Sequence, residues 1–253
     1  MENNYKLLMK TAMLAGELLL SSGAETYRVE DTMRHMLNKS KCESVEVFVV
    51  LTGIIATLDD ESIETISQVK AVKDVGMNIN KIIVVNDVSR KFCNDEITLE
   101  EAYDKLNTFK WKKYNTALYS LATIGIVIGF AMFFGGSLLD VLATAIVGGV
   151  LAMLITFGKR FGVNGFIHNI INCMGISIAA MTLQLFFAQL NTEIVIISSI
   201  MPLVPGVPLT NGVRDVLEGD YISGNSRILK AFLVAAGIAI GIGSGLVIFD
   251  WIV

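Results

Sequence analysis

The chain has 253 residues and a formal charge of −4, from 20 Lys and Arg against 24 Asp and Glu, with a mean hydropathy of +0.60. That hydropathy is well above the range of ordinary soluble domains, and an acidic balance with no basic tract longer than Lys112-Lys113 argues against nucleic acid as a partner. Met1 to Tyr114 carries 33 of the 44 charged residues and Asn115 to Val253 only 11, so the chain changes solvent near Asn115. Cys42, Cys93 and Cys173 lie far apart and form no Cys-x-x-Cys, which suggests neither a disulfide framework nor a zinc site.

Tyr5 to Ser21 places Leu7, Leu8, Leu14, Leu18 and Leu19 at helical spacing among Lys6, Lys10 and Glu17, which predicts an amphipathic helix. The two charges inside its apolar run, and the lack of a small-residue cleavage site after it, argue against a signal peptide and for an N-terminus that stays in the cytoplasm. Ser22-Gly23-Ala24-Glu25 then offers a glycine stop and a Ser-x-x-Glu capping box for a second helix to about Lys39. Three strands follow as an antiparallel meander: alternating Val45 to Leu51, Ile54 to Leu58 after Thr52-Gly53, and Ile63 to Val69 after Asp59-Asp60. Val72 to Cys93 has helical spacing, although Ile82 to Val85 could also form a strand. Thr98-Leu99-Glu100-Glu101 opens a helix ending near Phe109. Residues 1–114 are thus expected to form a cytosolic α+β domain.

Five nearly uncharged runs follow, from Asn115 to Leu139, Val141 to Gly158, Phe161 to Thr192, Ile194 to Val213 and Ala231 to Phe249. A helix needs about 20 apolar residues to cross the hydrocarbon core, so residues 115–253 are expected to be a transmembrane bundle of about five helices, multi-pass in the lipid bilayer. Lys110, Lys112 and Lys113, then Lys159 and Arg160, then Arg214, Arg227 and Lys230 all fall on one side of such a bundle. The positive-inside rule puts that side and the polar domain in the cytoplasm, and an odd count puts the C-terminus outside.

Gly125-x-x-x-Gly129 and Gly237-x-x-x-Gly241-x-x-x-Gly245 are small-residue ridges, suited to packing inside the bundle or to sliding against a partner. Asn164, His168 and Asn172 recur every four residues along one face of the third span, beside Asn169. Such a stripe should face protein or water, either as interhelical hydrogen bonding or as a substrate path, and His168 could titrate or only hydrogen-bond. Pro202, Pro205 and Pro208 are all the prolines of the chain, and with Gly206 they forbid a continuous fourth helix, breaking it at Pro205-Pro208. Irregular backbone at membrane depth is tolerated when buried by protein or lining a watery cavity, and broken helices are where many secondary transporters hold substrate. A half-helix starting near Leu209 would aim its positive end at a carboxylate. A purely structural kink is the alternative.

Pro202-Leu203-Val204-Pro205-Gly206-Val207-Pro208-Leu209-Thr210-Asn211-Gly212-Val213-Arg214-Asp215 resembles the signature of the threonine/serine exporter family, and Ser22-Gly23-Ala24-Glu25-Thr26-Tyr27-Arg28 is similar to its N-terminal motif. The resemblance implies an inner-membrane exporter of small metabolites. Family members of about ten spans carry a second membrane half. This chain resembles the split, two-component branch, in which a separate small membrane protein supplies that half. The implied substrates are amino acids such as threonine and serine, with a dicarboxylate such as succinate as the alternative linked to the split branch. The expected substrate contacts are His168, Asn169, Asn172, Pro205, Gly206, Pro208, Asn211, Arg214 and Asp215, with Ser22, Gly23, Glu25, Thr26 and Arg28 as the N-terminal motif. Coupling to the proton motive force is expected, because no Gly-x-x-x-x-Gly-Lys-Ser/Thr occurs. No cofactor or metal is expected, and a higher homo-oligomer is compatible with the pattern. A membrane-bound enzyme working through Glu25, Arg28 and Asp31, or a sensor anchored by its helices, would be the competing classes. The polar region lacks a Gly-x-Ser-x-Gly elbow, a zinc motif and a phosphate loop, and its one histidine is His35.

Overall fold

A computed structural model describes residues 2–73, 75–109, 115–162 and 164–252. Two compact units result, Met1–Lys112 with Val207–Ile228, and Lys113–Gly206 with Leu229–Val253. The first unit is therefore discontinuous in sequence. Residues 207–228, expected within the membrane half, cluster with the charged N-terminal region instead.

Helix α1 (Glu2–Ser21) organises the first unit. Leu8, Met9, Ala12, Ala15, Leu19 and Leu20 make one buried face on it, and Met33, Met36, Leu37, Ile54 and Leu58 complete the core. It ends as expected at Gly23, whose φ of +84° is the left-handed conformation that favours glycine. The Gly23 amide donates to Leu20 and the Ala24 amide to Leu19, the paired bonds of a Schellman stop. Helix α2 (Thr26–Leu37) follows. Its predicted capping box is not formed: Glu25 is the N-cap and makes no side-chain capping bond, because its carboxylate is drawn to two arginines.

Strands β1 (Ser44–Val50), β2 (Gly53–Asp60) and β3 (Ile63–Ala71) form the expected antiparallel meander in the order β1-β2-β3. Val47 pairs with Ala56 and Val49 with Ile54 on the buried face. The opposite face carries an exposed apolar row, Phe48 opposite Ile55 opposite Val69. The expected helix from Val72 starts only at Ile79, as α3 (Ile79–Cys93), where Asn78 caps it by accepting from the Lys81 amide. The residues before it are used as a strap. Val72 donates its amide to Thr52, Gly76 to Ser21 and Asn78 to Ser22, so their backbone is spoken for outside any helix. Ile82 to Val85 are helical, not a strand. Helix α4 (Leu99–Thr108) opens on the predicted capping box between Thr98 and Glu101.

The second unit contains α5 (Thr116–Phe133), α6 (Leu138–Phe161), α7 (Gly165–Phe186), α8 (Thr192–Ile200) and a 3₁₀ turn at Met201–Leu203. Val147, Leu151, Ile155, Ile176, Ala180 and Val195 form its core. Ser137 and Asp140 make a capping box at the start of α6, and Asp140 also accepts from the Asn191 amide at 2.8 Å. The last two helices are α9 (Gly206–Leu217) and α10 (Tyr221–Ile252), and α10 passes from the first unit into the second at Leu229.

Among the described residues four helices are long and apolar enough to cross a membrane, and up to five crossings result when the broken pair of α8 and α9 is counted as one. The break lies one step earlier than expected, at Val204-Pro205, and α9 starts at Gly206 rather than near Leu209. The reason is positional. Pro208 falls within the first turn of α9, where amides have no intrahelical acceptor, so its missing N–H costs nothing there. Lys110, Lys112 and Lys113 lie outside the described residues, as does the side chain of Lys159. The two glycine ridges differ. A methyl group on Gly241 would lie 2.5 Å from the Ile170 carbonyl and one on Gly245 2.8 Å from that of Met174, so α10 approaches α7 through its smallest residues. A methyl group on Gly125 or Gly129 would meet no described atom within 4 Å beyond its own stretch of helix.

Candidate functional site

The two motifs meet inside the first unit. The loop between α1 and α2 supplies Ser22 to Glu25, the first turn of α2 supplies Thr26 to Arg28, and α9 with the start of α10 supplies Asn211, Arg214, Asp215 and Arg227. Gly212 and Gly224 let α9 and α10 cross closely enough to present these side chains together. A methyl on Gly224 would stand 2.8 Å from the Gly212 carbonyl.

Asp215 is the centre of this junction and is fully buried. Its Oδ1 accepts from the Thr26 amide at 3.3 Å, and its Oδ2 lies 2.8 Å from Arg227 Nε. Arg227, 5% exposed, donates Nη2 to the Ala24 carbonyl at 2.7 Å. The Asn211 amide donates to the Gly23 carbonyl at 3.2 Å. Ser223 accepts from the Leu51 amide at the turn between β1 and β2. Glu25 is buried as well, with Oε1 bound by Arg214 and Oε2 2.8 Å from Arg28 Nε. Arg28 itself is largely exposed and also donates to the Tyr27 hydroxyl. That hydroxyl first and the Glu25 charge second hold its pKa above the ordinary arginine value. A pocket of about 200 Å³ opens beside this network, with Leu19, Met77, Ile82 and Val207 as its apolar lining.

The predicted contacts thus separate. Ser22, Gly23, Glu25, Thr26, Arg28, Asn211, Arg214 and Asp215 gather in the first unit, together with Pro208. Pro205, Gly206, His168, Asn169 and Asn172 belong to the second. Asn164 leaves the expected stripe, because its side chain caps α7 by accepting from the Phe166 amide at 2.9 Å. His168 donates Nε2–H to the Leu154 carbonyl at 3.2 Å, in space kept open by Gly158. Asn172 is 1% exposed, and its carbonyl oxygen, like the buried Ser198 and Ser199 hydroxyls, has no hydrogen-bond partner among the described residues. Arg227 was read only as a loop charge. An arginine in a half with only 11 charged residues, twelve positions after an aspartate, was the available sign. Asn86 and Thr32, on the pocket rim, carry no sequence signal.

The family described as "Putative threonine/serine exporter" matches residues 10–249 of this chain. A curated relative from Mycobacterium tuberculosis (strain ATCC 25618 / H37Rv), named "Probable threonine/serine exporter", is 23% identical over 240 residues. The match covers 94% of this chain and 45% of the relative, so the chain spans less than half of that protein's length. No solved structure matches.

Proposed function

The chain belongs to the threonine/serine exporter (ThrE) family, and from that premise we propose that it is one subunit of a secondary exporter of small hydrophilic carboxylates in the plasma membrane. Amino acids such as threonine and serine are the first substrates to test, and succinate the second. The observation that carries this reading is the break at Val204-Pro205 in an otherwise apolar unit that also holds a buried Asn172 oxygen without a hydrogen-bond partner among the described residues. A buried carbonyl oxygen left unpaired costs about 1–3 kcal/mol, and a passing solute or its water would satisfy it. The proposed solute route is lined by His168, Asn169, Asn172, Pro205 and Gly206. Asn211, Arg214 and Asp215, first expected to touch solute, are given the role of anchoring α9, because each is engaged by the loop between α1 and α2 or by the first residue of α2.

A separate membrane subunit supplying the other half is part of this proposal. It is supported by the face at Gly125 and Gly129, where an added methyl group would meet no described atom within 4 Å beyond its own stretch of helix. The proposed sidedness counts α8 and α9 as one crossing, with the N-terminal region in the cytoplasm and the C-terminus outside, following Arg160, Arg214, Arg227 and Lys230. The family is one of transporters, and no enzymatic step is assigned.

The test is transport in sealed vesicles carrying the chain with and without its co-expressed membrane partner. Threonine, serine or succinate should move under an imposed proton gradient when both subunits are present, and Asn172→Leu and Pro205→Ala should each lower the flux with normal membrane insertion. If none of the three solutes moves, the exporter reading fails. Full flux in both variants would instead overturn the placement of the route.

A further inference from the structure

The pocket beside Glu25 has an unbalanced charge. Its lining contains two charged groups, Glu25 and Arg28, and the second arginine on Glu25 is Arg214. Two guanidinium groups therefore share one carboxylate, both of whose oxygens are already taken. Asp215 does not redress the balance, because Arg227 neutralises it. Among the described residues one positive charge is left over at the pocket. It is carried by a side chain with donors to spare: Arg28 uses Nε toward Glu25 and Tyr27, and its two Nη groups have no partner among the described residues. Asn86 and Thr32 also reach the lining with side chains that have no partner among the described residues.

The remaining wall is hydrocarbon, from Leu19, Met77, Ile82 and Val207. The volume of about 200 Å³ corresponds to six or seven waters at ~30 Å³ each. Water gains little against such a wall, whereas a small anion with an apolar chain satisfies both ends. A guanidinium with free, parallel Nη donors matches a carboxylate in particular.

We propose that this pocket is a ligand site for a small monocarboxylate carrying a short apolar chain, held by Arg28 through its carboxylate and by the Leu19, Met77 and Ile82 wall through its chain. The site belongs to the first unit and shares no residue with the solute route proposed above. It stands whether or not the chain exports anything, since the ligand has only to bind.

Ligand-observed NMR on the full chain in detergent at low salt tests it, with butyrate as the probe and butyramide as its uncharged counterpart. Butyrate should bind and butyramide should not. Arg28→Gln should weaken butyrate by about tenfold or more, the usual scale of a charge-assisted bond, while Arg28→Lys keeps part of the affinity. The Arg28 side chain is 60% exposed, so the Gln variant should keep the unfolding temperature of the parent, which is measured alongside. Absence of butyrate binding, equal binding of butyramide, or an unchanged affinity in a folded Arg28→Gln protein would each overturn the site. A failed transport assay would leave this result untouched, because no flux is read.

Discussion

Asp215 and Arg227 form a pair with almost no contact with water, and such pairs behave asymmetrically. Removing one partner leaves the other charge buried, at a cost of about 3–5 kcal/mol, whereas replacing both by apolar groups can be nearly neutral. Asp215→Ala and Arg227→Met are each expected to lower the thermal unfolding temperature in detergent sharply, and the combined Asp215→Leu/Arg227→Met protein to recover most of the loss. Additive losses in the double variant would mean that the two residues are not coupled. Glu25 and Arg28 should be less sensitive, because water already screens the arginine. At this scale the sequence was informative about which residues matter and uninformative about what they do. Glu25 looks like a capping residue until Arg214, 189 positions away, is seen to claim it.

Among the elements, the helix crossing at Gly212 and Gly224 depends on backbone proximity. A methyl on Gly224 would lie 2.5 Å from a Val216 methyl and 2.8 Å from a carbonyl oxygen, so α9 and α10 would have to part. Gly224→Ala is expected to destabilise the protein by about 1–3 kcal/mol, the usual cost of overpacking. Gly125→Ala meets open space and should leave the isolated chain's stability unchanged or slightly raised, as alanine favours helix. Thermal unfolding of the two variants side by side checks both, and equal effects would contradict the packing described for α9 and α10. Elements governed by local chemistry were legible in the sequence. The period of α1, the alternation in β1 and the Thr98 box each depend on residues within one turn or one strand. The strap from Val72 to Asn78 was hidden because its amides bond to Thr52, Ser21 and Ser22, which no periodicity records. The placement of the break by Pro208 was hidden for a subtler reason: a proline is a breaker inside a helix but neutral in its first turn.

For the whole molecule, the charge boundary near Asn115 implies two consecutive halves, whereas residues 207–228 belong to the first unit. Hydropathy sees solvent preference, and the apolar character of residues 207–213 carries no record of the partners that α9 finds in the first unit. The proposed sidedness predicts that a cysteine appended after Val253 is labelled by an impermeant maleimide in intact cells, while one placed before Met1 is labelled only after lysis. The reverse pattern, or both termini on one side, would refute it. The discontinuity of the first unit also fixes an order of events during synthesis. Residues 1–112 leave the ribosome with Glu25 lacking Arg214 and with the Thr26 amide lacking Asp215. Those partners, Arg214 and Asp215, come 102 and 103 residues after Lys112, about 5–21 s later at ~5–20 residues per second. By then helices α5 to α7 have already been delivered for insertion, so the amino-terminal unit is completed late, by a piece that can reach it only after most of the membrane region has been made.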